Sequence, residues 1–311
     1  MTERVVIGTR GSKLALIQTE WVARKLREIH PKVNFHIEII KTAGDKLSSA
    51  PFAQIGSQGI FVKEIENAIL ERRVDLAVHS LKDLQTDICG GLTIGAILER
   101  ESPRDALISR QGLKLARLPE GTVIGTSSAR RRGLLAAEGR GFEIRECRGN
   151  LNTRIEKLKS GEFDAILLAE AGLRRMGMTD DVTEYLDVKH FVPAVGQGAL
   201  CIEIRADDRR ICELVSPLNH EPTFIACTEE RSYLADIGGG CHAPVGGHMY
   251  YADGEAIFLA FVGTCDGSWY VRRELRAPKG EAHGIGRRMA EEIKALPGAE
   301  AFFEEVARDA R

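Results

Sequence analysis

No two cysteines in this 311-residue chain are spaced Cys-x-x-Cys; the seven of them, at positions 89, 147, 201, 212, 227, 241 and 265, form an odd, scattered set. That pattern excludes a disulfide framework and a structural zinc site, and it suits a reducing, cytoplasmic compartment. Aromatic residues are scarce at 6%, which argues against a surface on which nucleic-acid bases stack. Charge is nearly balanced, at a formal net of -2, so no whole-molecule field draws in nucleic acid or an anionic membrane, and any basic site must be local. No apolar run is long enough for a bilayer, and Met1-Thr2-Glu3-Arg4-Val5 enters a strand pattern without a basic leader, so neither signal peptide nor membrane span is expected. Lysine is underused as well, with 13 lysines against 30 arginines, twelve of the latter between Arg104 and Arg175. Arginine grips carboxylate or phosphate with a planar two-pronged donor, which points to an anion site in the middle third; most other arginines are expected to be solvated.

What is present is a hydrophobic content of 43%, ample for the cores of two or three domains. Val5 to Gly8 reads as a buried strand. Ser12 to His30 reads as a helix with Leu14, Ile17, Trp21 and Leu26 on one face, stopped by Pro31. A second strand around Phe35 to Ile39, a glycine-rich stretch from Gly44 to Gly59, a helix from about Ile60 to Leu70 and a strand at Val74 to Val78 continue the pattern. Such βαβα order predicts a mainly parallel sheet covered by helices, with ligands at the carboxyl ends of the strands. It then repeats: Val6-Ile7-Gly8-Thr9-Arg10-Gly11-Ser12 echoes Val123-Ile124-Gly125-Thr126-Ser127-Ser128-Ala129, and Val74-Asp75-Leu76-Ala77-Val78 echoes Phe163-Asp164-Ala165-Ile166-Leu167. Two similar doubly wound α/β domains are therefore expected, one of residues 1–99 with 199–217 and one of residues 104–193, with a hinge over a cleft where the chain crosses twice. Residues 219–311 read as a third, α+β domain with a helix near Phe224 to Leu234 and three antiparallel strands joined at Asp253-Gly254 and Asp266-Gly267.

Three constellations could carry chemistry. The strand-to-helix turns at Ser12 and at Thr126, Ser127 and Ser128 offer backbone N–H groups and a positive helix end, with Arg10, Arg130, Arg131 and Arg132 beside them. N-capping alone explains one serine per helix but not the arginines, and the missing Gly-Lys-Ser/Thr rules out a P-loop. Arg148, Arg154 and Arg174-Arg175 follow further strands. Several arginines at one edge call for a ligand with several carboxylates, since their own packing cannot hold them together. The run His79-Ser80-Leu81-Lys82-Asp83 puts a carboxylate at another strand end, where it could stabilise a developing cation or cap a loop. Finally, Cys241 sits in Gly238-Gly239-Gly240-Cys241-His242-Ala243-Pro244, a run with little bulk; it reads either as a presented thiol or as a small buried hydrophobe. His79 and the adjacent Cys241-His242 make poor metal ligand sets.

These segments resemble the porphobilinogen deaminase (hydroxymethylbilane synthase) family. The likeness runs through Ile7-Gly8-Thr9-Arg10-Gly11-Ser12, Lys41-Thr42-Ala43-Gly44-Asp45, Gly59-Ile60-Phe61-Val62-Lys63-Glu64, Ala77-Val78-His79-Ser80-Leu81-Lys82-Asp83, Gly125-Thr126-Ser127-Ser128-Ala129-Arg130-Arg131, Arg148-Gly149-Asn150-Leu151-Asn152-Thr153-Arg154, Pro193-Ala194-Val195-Gly196-Gln197-Gly198 and Gly239-Gly240-Cys241-His242-Ala243-Pro244, nearly the whole chain in order. The resemblance implies two periplasmic-binding-protein-type domains around the cleft and a small C-terminal domain. It also implies a dipyrromethane cofactor held by a thioether to Cys241, and four additions of porphobilinogen with loss of ammonia before hydrolysis frees hydroxymethylbilane. Carried over by position, Asp83 is the catalytic carboxylate that holds pyrrole N–H groups and stabilises the azafulvene cation. Lys82, Asp83, Ser12, Ser80, Thr126, Ser128, Arg130 and Arg131 bind the cofactor; Arg10, Gln18, Phe61, Arg148, Arg154 and Arg175 bind substrate. No metal and no macromolecular partner is implied, and a monomer is expected. The chain departs from the family pattern at Gln85 and Gln58, where many relatives carry proline and lysine. Two other classes fit parts of the pattern: a non-catalytic two-lobed binder of a polycarboxylate, which needs no presented thiol, and a nucleic-acid binder, which the balanced charge and few aromatics disfavour.

Overall fold

The structure is a computed structural model, and it describes residues 3–42, 62–238 and 243–309. The chain forms two compact units, one of Met1–Glu101 with Gly198–Phe224, the other of Ser102–Gln197 with Ile225–Arg311. In the first unit β1 (Glu3–Arg10), α1 (Lys13–Ile29), β2 (Val33–Ile40), α2 (Lys63–Leu70), β3 (Leu76–Ser80) and β4 (Leu92–Ile97) follow one another. The second begins with β5 (Asp105–Ser109), β6 (Val123–Gly125), α3 (Ala129–Ala137), β7 (Glu143–Arg145), α4 (Leu151–Lys159), β8 (Ala165–Ala169), α5 (Glu170–Met176) and β9 (Glu184–Tyr185). The chain then returns to the first unit with β10 (Leu200–Arg205) and α6 (Arg209–Val215). It closes with α7 (Glu221–Ile237), β11 (Val245–Ala252), β12 (Glu255–Gly263), β13 (Tyr270–Pro278), α8 (Ile285–Lys294) and α9 (Ala299–Asp309).

The two α/β sheets share one design. Their strand orders are β2-β1-β3-β10-β4 and β7-β6-β8-β5-β9, so β1 corresponds to β6, β2 to β7 and β3 to β8. The fourth strand runs against its neighbours in both, β10 antiparallel to β3 and β4, β5 antiparallel to β8 and β9. The two sequence echoes fall on these equivalent strands, and a side chain explains why. Asp75 Oδ2 accepts from the Val6 amide at 2.8 Å, and Asp164 Oδ2 from the Val123 amide at 3.0 Å. One aspartate thus ties the start of β3 to the middle of β1, and another the start of β8 to the start of β6. The expectation of a mainly parallel sheet holds for four strands of each five. The reversed strands carry no periodicity of their own to announce their direction, and β10 is buried along its whole length.

Helix α1 opens on Ser12, whose hydroxyl accepts from the Ala15 amide at 3.4 Å, and it ends at His30 before Pro31. Its buried face is Gln18, Thr19, Val22, Ala23 and Leu26, about one residue round from the Leu14, Ile17, Trp21, Leu26 face expected. Polar residues are tolerated inside because they find partners: Thr19 donates to Thr9 Oγ1 at 2.7 Å, and Gln18 pairs with Ser80 at 3.0 Å.

The C-terminal strands make an antiparallel sheet in the order β11-β12-β13. Asp253 and Gly254 both have positive φ (51° and 80°), the two-residue hairpin geometry that Asp-Gly signals. Met249, Phe258 and Ala260 pack with Tyr233, Met289 and Phe302 of α7, α8 and α9. The opposite face, with Ile257, Leu259 and Phe261, packs with Leu134 and Leu135 of α3. No described helix is long and apolar enough to cross a membrane.

Candidate functional site

In the first unit the candidate residues sit at the carboxyl ends of two neighbouring strands. Arg10 ends β1, Ser80 ends β3, and the strands pair in parallel at Ile7 with Leu76 and at Gly8 with Ala77. Beyond Ser80, residues Leu81–Asp83 form one 3-10 turn. Its two leucine neighbours fix it: Leu81 is 1% and Leu84 4% exposed, and the Leu81 amide donates to the Ala199 carbonyl at 3.0 Å. Burying Leu81 and Leu84 leaves the polar pair between them outside, with Lys82 half-buried and Asp83 exposed. A carboxylate held outward on a turn that cannot swing is placed to meet a cation. Behind it, His79 and Glu203 pair at 3.0 Å in the interior, so His79 is packed as structure, as the sequence suggests.

In the second unit the candidates occupy the equivalent edge. Thr126 to Ser128 join β6 to α3. The Ser128 hydroxyl accepts from the Arg131 amide at 3.4 Å, the Thr126 hydroxyl from the Ser128 amide at 3.2 Å. After β7, Asn150 Oδ1 caps α4 by accepting from the Thr153 amide at 3.0 Å, and Arg154 Nε donates to the Gly149 carbonyl at 2.8 Å. Gly149 has φ of 112°, a conformation open to glycine. Arg175, half-buried, lies on α5 just past β8.

The arginines depart from expectation. Arginine patterning alone suggests no internal counter-ions for them, yet the fold supplies several. Arg148 pairs with Glu146 at 2.7 Å. Arg104 and Arg174 share Glu170 at 2.8 and 2.7 Å, and Ser102 donates to the same carboxylate. Arg130 and Arg131, read as direct ligand grips, are only 4% and 5% exposed, and both clasp Asp105, at 2.8 and 2.6 Å. A buried guanidinium needs a carboxylate and carbonyls around it, so each spends part of its donor set internally. Arg130 Nε remains buried with no hydrogen-bond partner among the described residues.

These acids are what sequence reasoning missed. Asp105 opens the apolar strand Asp105-Ala106-Leu107-Ile108, and a lone acid at the head of such a strand is the signal that could have found it. Burial alone would push its carboxyl up; the two guanidiniums overcome that and hold it well below the usual carboxylate range. Glu170 is likewise lowered against the effect of burial, by Arg104, Ser102 and Arg174. Burial pushes the Cys147 thiol up, partly opposed by Arg154 and Lys157, which leaves it inert.

The Asp105 shift carries a pH consequence. With a folded value below the unfolded one of about 3.9, its stabilisation is complete above about pH 4 and is lost as pH falls through the folded value. The stability difference between the unaltered chain and Asp105→Asn should be flat from pH 5 to 8 and shrink on acidification below about pH 4. Urea midpoints across that range check this, and a difference that widens in acid contradicts it.

Phe61 and Cys241 lie outside the described residues, as do Gln58, His242 and the glycine-rich stretch 44–59. Among the described residues no group of three His, Cys, Asp or Glu side chains could hold a metal ion.

Two family descriptions match this chain: "Porphobilinogen deaminase, dipyromethane cofactor binding domain" over residues 5–213, and "Porphobilinogen deaminase, C-terminal domain" over residues 224–295. A porphobilinogen deaminase of Syntrophobacter fumaroxidans is 44% identical over 309 residues, covering 99% of this chain and 100% of that one. One of Gloeobacter violaceus is 45% identical over 311 residues, covering 98% of this chain and 94% of the relative. Among solved structures, a TRAP periplasmic solute binding protein from Desulfovibrio salexigens aligns with a TM-score of 0.43 at 9% identity, covering 75% of this chain and 76% of that one.

Proposed function

Since the chain belongs to the porphobilinogen deaminase family, we propose that it is a transferase that joins four porphobilinogen molecules, with release of ammonia, into the linear tetrapyrrole hydroxymethylbilane. The observation that carries this reading is the match of both family domains, with Lys82 and Asp83 displayed on a fixed turn at a strand end.

The family's cofactor is a dipyrromethane, and the donor set present suits a group bearing several carboxylates. The capped N-terminus of α3, the buried Arg130 Nε without a partner among the described residues and the arginines around it are all carboxylate-binding chemistry. Lys82, Ser12, Ser80, Thr126, Ser128, Arg130 and Arg131 would hold it, with Asp83 on its pyrrole N–H groups and Cys241 as its tether. When bound, it supplies the pyrrole carbon to which the first substrate unit is joined.

Each addition breaks the carbon–nitrogen bond of the porphobilinogen aminomethyl group, releases ammonia, forms a carbon–carbon bond and sheds one ring proton. Arg10, Arg148, Arg154 and Arg175 bind the acetate and propionate of the incoming unit, with Gln18 and Phe61 alongside. The Asp83 carboxylate accepts from the pyrrole N–H and stabilises the positive charge that builds on the substrate as ammonia departs. A buried pair beneath the turn, His79 with Glu203, steadies the strand that delivers it. The protein acts as a cytoplasmic monomer.

Purified chain incubated with porphobilinogen should release one ammonia per substrate consumed and yield hydroxymethylbilane at one per four. Intact mass should show dipyrromethane added on a single cysteine. Tight binding of a polycarboxylate without ammonia release, by a chain of unmodified mass, would establish the non-catalytic two-lobed binder instead.

A further inference from the structure

Asp105 is wholly buried, and its carboxylate gathers donors from two parts of the second unit, helix α3 and Gln197. Oδ2 accepts from Arg130 Nη1 at 2.8 Å. Oδ1 accepts from Arg130 Nη2 at 3.2 Å, from Arg131 Nε at 2.9 Å and Nη2 at 2.6 Å, and from Gln197 Nε2 at 3.3 Å. The same guanidiniums reach two carbonyls, Arg130 that of Val192 at 2.7 Å and Arg131 that of Leu167 at 2.8 Å. Gln197 also donates to the Pro103 carbonyl at 2.6 Å.

The arrangement is costly without its centre. Arg130 and Arg131 are adjacent cations in the first turn of α3, where the helix dipole is itself positive and disfavours them. Two guanidiniums and one carboxylate leave a single positive charge in the interior. Each guanidinium presents five N–H groups and directs three bonds at these internal acceptors.

Resting on the reading of the chain as a dipyrromethane-carrying transferase, we propose that Asp105 is a positioning residue for the carboxylate-binding end of α3. It clamps Arg130 and Arg131 in one arrangement, so that their unspent N–H groups, the Ser128-capped helix end and the surplus positive charge form a receptor set before the ligand arrives. A counter-ion that also took up every donor would abolish the receptor; one carboxylate between two arginines does not. The bonds from Arg130 to Val192 and from Gln197 to Asp105 bring the 192–197 segment under the same clamp.

The test compares the unaltered chain with Asp105→Asn and Asp105→Glu, all made in cells that supply porphobilinogen. Circular dichroism measures the folded fraction, intact mass the share of folded chains carrying dipyrromethane, and steady-state kinetics the KM. Folded Asp105→Asn should carry about tenfold less cofactor than the unaltered chain, the loss of one charge-assisted contact. Asp105→Glu, which restores the charge one methylene away, should recover part of the load with a raised KM. Full loading and unchanged KM in folded Asp105→Asn would overturn the proposal and leave Asp105 a plain interior ion pair. Should Asp105→Asn not fold, Asp105→Glu decides: a raised KM in a folded chain supports the clamp, and unchanged loading and KM overturn it. An unaltered chain that is itself unloaded and inactive would overturn the functional reading and this proposal with it, an outcome distinct from a loaded enzyme indifferent to Asp105.

Discussion

Asp83→Asn should lower kcat by about 10²–10³-fold, the range seen when a preorganised electrostatic group is removed from a site, with little change in KM or thermal midpoint. The fold has little stake in this carboxylate. Asp83 is exposed, and the turn is held by Leu81, Leu84 and the Leu81 to Ala199 hydrogen bond, none of which needs a charge at position 83. Substitution at such a surface position shifts stability by about 0.5 kcal/mol or less. Asparagine keeps the size and an oxygen acceptor, so substrate can still dock; what is lost is the negative charge opposite a cation that exists only once ammonia is leaving. The loss therefore falls on kcat and not on binding. Single-turnover rates of ammonia release, alongside a thermal melt, are the measurement. A variant within threefold of the unaltered rate would take the chemistry away from Asp83.

The second large effect concerns the fold. Gly286→Ala should destabilise the protein by about 3 kcal/mol or more, at the upper end of overpacking costs. Helix α8 begins against α7 without side-chain capping of its own. The carboxylate of Glu229 caps it from across the contact, accepting from the Gly284 amide at Oε1 and the Gly286 amide at Oε2, each at 3.0 Å. For one side chain to reach both amides the two backbones must nearly touch. A Cβ at Gly286 would overlap the Glu229 carbonyl oxygen and lie 2.9 Å from its carbonyl carbon. Both obstacles are backbone, so relief requires α8 to move away, which breaks the two capping bonds and loosens Ile285 and Met289 from their core. Denaturant midpoints read this out, and an unchanged midpoint would show that the close helix approach is not needed.

The sequence is most readable where local chemistry decides the structure. The Ser12 and Ser128 caps, the stop before Pro31 and the Asp253-Gly254 hairpin need only near neighbours, and each stands where the residues put it. The duplication was legible because Asp75 and Asp164 do the same job twice. Illegible features depend on partners remote in sequence. The inward turn of Gln18 and Thr19 depends on Ser80 and Thr9. The retreat of Arg130 and Arg131 into the interior depends on Asp105, some twenty-five residues earlier, and arginine-rich patterning alone cannot tell a guanidinium that awaits a ligand from one already paired. The directions of β5 and β10 follow from where the chain re-enters each sheet, which no window of residues contains.

That re-entry has a consequence for the order in which the chain can fold as it is made. The five strands of the second α/β sheet all lie between Asp105 and Tyr185, so its pairing is available as soon as that stretch has emerged. The first sheet has no such autonomy. Its β3 and β4 are not neighbours; β10 separates them, and Leu200, Ile202 and Ile204 belong to the core that β1, α1 and β3 enclose. A nascent chain of two hundred residues would still hold its earliest strands around an empty slot, and the N-terminal unit, begun first, is completed after the sheet that follows it in sequence.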